Sequence, residues 1–125
     1  MIQRGAAAPR ARGQVVEAAA EHYLQQQGLQ PVQRNFTSRG GEIDLVMRDG
    51  ETLVFVEVRF RKSDRYGTPA ESVTASKQRK LLQTAQLYLM ANPAWRKHPC
   101  RFDIVAARPG ESGLQFEWIN NAFGV

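Results

Sequence analysis

GEIDLVMRDGETLVFVEVRF, residues 41–60, is the stretch that decides the fold, because it predicts two β-strands joined by a tight turn. Residues 42–48 alternate polar and apolar side chains, as a half-buried strand does. Asp49-Gly50 is a strong hairpin signal, and residues 52–60 are rich in the β-branched and aromatic types that favour strands. The apolar faces expected to align are Ile43, Leu45 and Met47 on the first strand and Val54, Val56, Val58 and Phe60 on the second. Aligning them requires an even number of residues in the turn, since a slip of one residue would reverse every side chain.

Two acidic residues, Asp44 and Glu57, fall on the other face of these strands. With four residues in the turn, Asp44 would lie directly opposite Glu57, and Glu42 opposite Arg59. With two residues in the turn, Asp44 and Glu57 would be diagonal neighbours that are still within reach. Two carboxylates this close repel each other, so protonation, a basic partner or a cation must compensate.

A divalent cation is one compensating partner that this pattern predicts. Carboxylate oxygens on a rigid hairpin suit Mg²⁺, which binds a few carboxylates, waters and substrate phosphate. Such an ion can polarise a phosphodiester and acidify the attacking water. A third carboxylate, Glu17, would join the site if the first predicted helix packs across the sheet. The alternative is a solvated sheet face on which Arg48 and Arg59 form salt bridges with the acids and Glu17 is an ordinary polar helix residue.

The elements around the hairpin complete an α/β pattern. Residues 1–12 are predicted to be a flexible basic arm, and residues 13–125 a single domain. Apolar spacing and breakers predict helices over 13–27 and 74–90, an edge strand over 31–36, and strands over 101–107 and 115–119. The resulting order, αβββαββ, predicts a mixed β-sheet between helices.

Charge favours a polyanionic partner. The 125 residues include 17 Lys and Arg against 12 Asp and Glu, a net charge of +5. Three basic clusters stand out: Arg4, Arg10 and Arg12; Arg59, Arg61, Lys62 and Arg65; Lys77, Arg79 and Lys80. Phosphate-binding surfaces use such clusters, and so do ordinary solvated faces.

The compartment expected from the sequence is the cytoplasm. The single cysteine, Cys100, excludes a disulfide within the chain. No apolar stretch approaches the length of a membrane span, and the N-terminal segment lacks the apolar core of a secretory signal. We therefore expect a cytoplasmic protein with no membrane partner.

Several short motifs carry a resemblance to a known family. They are EAAAEHYL at 17–24, Arg34-Asn35, GEIDLV at 41–46, LVFVEVR at 53–59, Lys77, Ala85, Tyr88-Leu89 and RFD at 101–103. In this order and spacing they resemble the bacterial YraN-like family over roughly residues 13–105. That family is similar to the restriction-endonuclease-like (PD-(D/E)xK) superfamily, and within it to the archaeal Holliday-junction resolvases.

The resemblance implies a restriction-endonuclease-like fold, a mixed β-sheet flanked by helices. It implies that Glu17, Asp44 and Glu57 are acidic site residues that bind Mg²⁺ or Mn²⁺ for phosphodiester hydrolysis in DNA, including branched DNA. Because the resolvases act as symmetric dimers, a homodimer is one option for assembly. The residues expected to hold the nucleic acid are Arg59, Arg61, Lys62, Arg65, Lys77 and Lys80.

Arg59 departs from the superfamily pattern, which most often has lysine there. Arginine stays charged and cannot act as a base, although it could bind the scissile phosphate. Lys77 is the residue that could compensate, with an ordinary surface lysine as the alternative interpretation. Two other functions therefore stay open beside the nuclease: a nucleic-acid-binding module that has lost efficient cleavage, and a protein-interaction scaffold in DNA processing.

Overall fold

The architecture is a five-stranded mixed β-sheet with one long helix on each side. The computed structural model describes residues 9–63, 65 and 67–124. The elements are α1 (Pro9–Gln26), β1 (Gln30–Ser38), β2 (Gly41–Asp49), β3 (Thr52–Phe60), α2 (Ala75–Ala91), a 3₁₀ turn (Pro93–Trp95), β4 (Cys100–Gly110) and β5 (Gly113–Phe123). The predicted order αβββαββ and the mixed sheet flanked by helices are confirmed.

Several element ends differ from the prediction, those of α1 and β5 by the most. Helix α1 begins at Pro9, inside the segment predicted as an arm, while residues 1–8 of that segment lie outside the described part of the chain. Strand β5 is longer than the predicted 115–119. Backbone pairing with β4 extends along almost all of β5, so the strand continues beyond the residues that show an apolar pattern. No helix in the described residues combines the length and apolar character needed to cross a membrane.

The sheet order follows the chain, β1-β2-β3-β4-β5. Neighbouring strands pair antiparallel except β3 and β4, which are parallel. A parallel pair needs a long crossover connection, and α2 lies within that connection. This crossover carries the first turn of α2 past the end of β3, where the candidate site lies.

Both faces of the sheet are buried, which is why its central strands are apolar at nearly every position. The core on the α2 side consists of Ile43, Val46, Leu53, Phe55, Val73, Leu81, Ala85, Tyr88, Phe102 and Ile104. The core on the α1 side consists of Ala20, Leu24, Leu29, Leu45, Met47, Val54, Val56 and Val105. Helices α1 and α2 therefore approach the sheet from opposite sides.

The β2–β3 hairpin has a two-residue loop, Gly50-Glu51, between the paired residues Asp49 and Thr52. Gly50 adopts φ +60°, a conformation that glycine reaches without steric cost. The even loop length is as predicted, but the loop lies one residue later than the Asp49-Gly50 signal. This shift gives the register that was expected for a four-residue turn rather than for a two-residue turn. The pairing stops at Leu45 and Val56, one position before Asp44 and Glu57.

One prediction about the apolar face of β2 was also wrong. Leu45 and Met47 face α1, whereas Ile43 packs in the α2-side core. Strict alternation would have placed all three together. The alternation is interrupted beside Asp44, and the residue at the corresponding position of β1, Asn35, has the positive φ of 56°.

Candidate metal and nucleic-acid site

Asp44 lies where the backbone pairing of β2 and β3 ends. The last paired residues before it are Leu45 and Val56. Asp44 Oδ2 then accepts a hydrogen bond of 2.8 Å from the backbone N–H of Val58. A side-chain oxygen thus replaces a backbone carbonyl as the partner of β3, which fixes the orientation of this carboxylate.

Three carboxylates meet at this point. Glu17 from α1 and Glu42 and Asp44 from β2 each offer one oxygen, and the three oxygens lie within 4.8 Å of one another. All three side chains are half-buried. Because the donors are all carboxylate oxygens, the chemistry of the set fits a hard divalent cation such as Mg²⁺ or Mn²⁺.

Asn35 organises two of these acids from β1. When its amide is turned so that the nitrogen faces the acids, it donates to Glu17 Oε1 at 2.8 Å and to Glu42 Oε2 at 2.7 Å. In that orientation both ends of the amide face suitable hydrogen-bond partners. The left-handed backbone of Asn35 brings the side chain to this position, and asparagine tolerates that conformation better than most residues.

The electrostatics of the cluster favour a bound proton or a cation. Burial, together with the charges of Glu57 and Glu17, raises the pKa of Asp44 to about 8 against the lowering effect of the Val58 N–H. Burial also raises the pKa of Glu17, while a hydrogen bond from Asp44 opposes that rise. The raised pKa favours the protonated carboxyl of Asp44, and a divalent cation would compete with that proton for the same oxygens.

Glu57 is more buried than the three clustered acids, with only 5% of its side chain exposed. Its Oε2 lies 3.0 Å from Lys77 Nζ and 3.3 Å from Arg59 Nη1. Glu57 is therefore outside the three-carboxylate cluster and is neutralised by two basic side chains. It still faces Asp44 across a common cavity.

That cavity has a volume of about 360 Å³. Its lining includes Gly41, Glu42, Asp44, Glu57, Thr74, Ser76, Lys77, Lys80, Leu81 and Thr84. Acids from the sheet form one side and lysines from the first turns of α2 form the other. Asp44 thus lies beside Glu17 in the carboxylate cluster and beside Glu57 in the cavity, whereas Glu17 is not among the residues that line the cavity.

The predicted nucleic-acid residues occupy different positions. Lys77 and the exposed Lys80 line the cavity. Arg61 is half-buried, and its Nη2 donates to the carbonyl of Gly67 at 2.5 Å. Lys62 and Arg65 are exposed in the loop after β3.

Arg59, the residue that departs from the superfamily pattern, is held by the segment before α2. Its Nε donates to Ser72 Oγ at 3.2 Å and its Nη2 to the Ser72 carbonyl at 3.0 Å. Together with the contact to Glu57, these bonds engage all three guanidinium nitrogens.

Asp103 is a structural acid. It is fully buried and receives hydrogen bonds from Arg101 Nε at 3.0 Å, Trp118 Nε1 at 2.9 Å and the Asn121 backbone at 2.8 Å. These donors satisfy both oxygens. The acid therefore fixes β5 against β4 rather than adding to the candidate site.

Sequence reasoning did not select Glu42, Asn35 or Ser72 as site residues. Glu42 carried a usable signal, because it precedes Asp44 by two positions on the same strand. Asn35 stood in the family motif, but its positive φ and its contact with two acids depend on the pairing of β1 with β2. Ser72 lies in a loop whose path no local pattern predicts.

Comparison with known proteins gives one consistent result. Residues 16–107 match a family described as "Uncharacterised protein family UPF0102". A UPF0102 protein of Xanthomonas oryzae pv. oryzae (strain PXO99A) is 55% identical over 117 residues, 94% of each chain. UPF0102 proteins of Saccharophagus degradans and Stutzerimonas stutzeri are 52% and 49% identical over 111 residues, 89% of this chain and 91% and 92% of theirs.

Proposed function

This chain belongs to the UPF0102 family, and we propose that it is a Mg²⁺-dependent nuclease that hydrolyses phosphodiester bonds in DNA. The observation that carries the proposal is the carboxylate cluster of Glu17, Glu42 and Asp44. Two of its members, Glu42 and Asp44, line a cavity together with Glu57 and two lysines. A cluster of acids alone would be consistent with a bound cation and no substrate. Acids facing basic side chains across one cavity suit a cation and a phosphate together.

The residues that would hold the metal follow from the geometry. Asp44 is central, because it belongs to the cluster with Glu17 and Glu42 and also faces Glu57. Mn²⁺ has the same preference for oxygen and would be an alternative to Mg²⁺. When bound, the ion would polarise the phosphodiester and lower the pKa of the attacking water.

The protein's own residues would position the reacting groups. The Val58 N–H holds Asp44 in place, and Asn35 holds Glu17 and Glu42. Lys77 and Lys80 would meet the phosphate backbone on the opposite wall of the cavity. Donors fixed before the substrate arrives lower the reorganisation that the reaction requires.

The substrate class proposed is DNA, with branched DNA favoured by the resemblance to junction resolvases. The net charge of +5 and the exposed Lys62, Arg65 and Lys80 support contact with phosphates. Such contacts position a duplex without reading its sequence, so recognition by DNA shape is expected. A homodimer would present two such cavities to a branched substrate.

The test is a cleavage assay with linear, flapped and four-way DNA in Mg²⁺ or Mn²⁺. Wild type is compared with Asp44→Asn, which keeps the size of the side chain, and with Glu111→Gln, a matched amide substitution in the exposed β4–β5 turn. We expect metal-dependent cleavage by wild type and Glu111→Gln and none by Asp44→Asn. Equal cleavage by wild type and Asp44→Asn would refute the proposal.

A second candidate is a DNA-binding module that does not cleave. Arg59 favours it, because arginine replaces the usual lysine and is held by Ser72. It predicts binding that weakens steeply with salt, no metal-dependent turnover, and turnover that appears in Arg59→Lys. A protein-interaction scaffold would instead bind no DNA form in a salt-dependent way.

A further inference from the structure

We infer that Lys77 supplies the mobile positive charge that the superfamily pattern places two residues after Glu57, and that Arg59 is a positioning residue for the segment leading into α2. The inference rests on the proposed function and deepens it. It identifies Lys77 as the side chain that would contact the scissile phosphate.

The contacts of Arg59 assign it a positioning role. All three of its guanidinium nitrogens bond to the protein, two of them to the single residue Ser72. Ser72 Oγ in turn donates to the carbonyl of Pro69 at 2.6 Å, which closes the loop before α2. A guanidinium held in this way cannot turn toward a substrate without releasing that loop.

Lys77 has the freedom that Arg59 lacks. Its backbone is fixed in the first turn of α2, where its N–H bonds to the capping Thr74 Oγ1 at 3.2 Å. Its side chain is 42% exposed and ends 3.0 Å from the buried Glu57, inside the cavity that contains Asp44. A flexible four-carbon stem can therefore keep the ammonium on Glu57 or direct it outward.

The charge distribution of α2 supports an anionic ligand at this end. Lys77, Arg79 and Lys80 lie close to the N-terminus of the helix, whose first turn contains no acidic residue. Basic residues are unfavourable at this end, because the helix dipole is already positive there. Glu57 offsets one of these charges, and a phosphate would offset more.

A metal ion and Lys77 would compete for Glu57. Without metal, the ammonium neutralises this buried acid. A divalent cation near Asp44 and Glu57 would repel the ammonium and turn it toward the open side of the cavity. There it would contact a non-bridging phosphate oxygen and stabilise the charge that develops on it, with no covalent bond to the lysine.

The experiment compares Lys77→Ala with Lys97→Ala, the same substitution at an exposed position after the 3₁₀ turn. Turnover of four-way and flapped DNA is measured together with Mg²⁺ and Mn²⁺ binding by calorimetry in the absence of DNA. We expect Lys77→Ala to lose about 10²–10³-fold in turnover, as when one donor to a developing charge is removed. Its metal affinity should be equal or tighter, because the competing ammonium is gone. Lys97→Ala should match wild type in both measurements.

The second part of the experiment measures turnover in Arg59→Lys. We expect no gain in turnover, because the substituted side chain would lose the paired bonds to Ser72. A sharp gain would overturn the inference, as would wild-type turnover in Lys77→Ala while Asp44→Asn is inactive. A parallel loss of turnover and metal affinity in Lys77→Ala would assign it a structural role and would also overturn it. Failure of wild type to cleave any substrate would instead refute the proposed function, and the inference with it.

Discussion

The backbone N–H of Val58 donates to Asp44 Oδ2 at 2.8 Å, at the point where the ladder between β2 and β3 stops. One strand thus uses a side chain to complete the hydrogen bonding of the next strand. The other oxygen of Asp44 is left for the neighbouring acids. This hydrogen bond fixes the orientation of the Asp44 carboxylate at the end of the ladder, and the consequences can be measured.

Asp44→Asn is expected to raise the stability of the metal-free protein while it abolishes cleavage. The amide oxygen can still accept from Val58, and the amide nitrogen can donate to Glu17, so the contacts persist without the buried charge. A gain of about 1–3 kcal/mol in the free energy of unfolding is expected at pH 8. Chemical denaturation of both proteins in the presence of a chelator measures it, and a loss of stability would contradict this account.

The stability gain from Asp44→Asn should increase as the pH rises. The pKa of Asp44 is raised from 3.8 to about 8 in the folded protein, so between these values the folded state binds more protons than the unfolded state. Stability attributable to Asp44 is therefore complete below about pH 4 and falls as the pH rises to about 8. Thermal unfolding at pH 5 and pH 8 should show a larger difference between wild type and Asp44→Asn at pH 8.

Metal binding should release protons. The pKa of Asp44 is raised to about 8, so a cation that binds this carboxylate competes with a proton, and the affinity for Mg²⁺ should rise as the pH increases toward about 8. Calorimetry in two buffers of different ionisation enthalpy gives the number of protons released, for which about one is expected near pH 7. A pH-independent affinity with no proton release would place the cation away from Asp44.

How far the sequence predicted this site can be judged from these residues. The alternation of β2 and β3 placed Asp44 near Glu57, and helical spacing gave Glu17 a position from which it could join them. The break in alternation at Asp44 was not predictable, because it depends on a side chain that bonds to another strand. For the same reason Ile43 was assigned to the wrong face, and the contact between Lys77 and Glu57 appeared only once α2 was packed on the sheet.

Asn35 offers a test of how the acids are held. Asn35→Gly removes the amide that donates to Glu17 and Glu42 but suits the backbone at φ 56°. We expect metal affinity to fall about 10–100-fold, the usual cost of losing a residue that orients metal ligands. Asn121→Gly is the matched control, since Asn121 has φ 52° and lies beside Asp103 rather than the cluster. Equal metal affinity in the two variants would mean that Asn35 is needed only for its left-handed backbone conformation and not for orienting the acids.

Asp103→Ala should lower the stability of the protein without lowering its affinity for Mg²⁺, which would distinguish this structural acid from the acids of the site. Its removal would leave Arg101 and the Trp118 indole without their shared buried partner, so a loss of about 3–5 kcal/mol of stability is expected. The folded fraction should nevertheless keep its affinity for Mg²⁺, because Asp103 shares no contact with the carboxylate cluster among the described residues. Metal titration at a temperature well below the unfolding midpoint checks this. A loss of metal affinity in a folded sample would contradict this account. It would mean that the metal site depends on β5, where Asp103 accepts a hydrogen bond from the Asn121 backbone N–H.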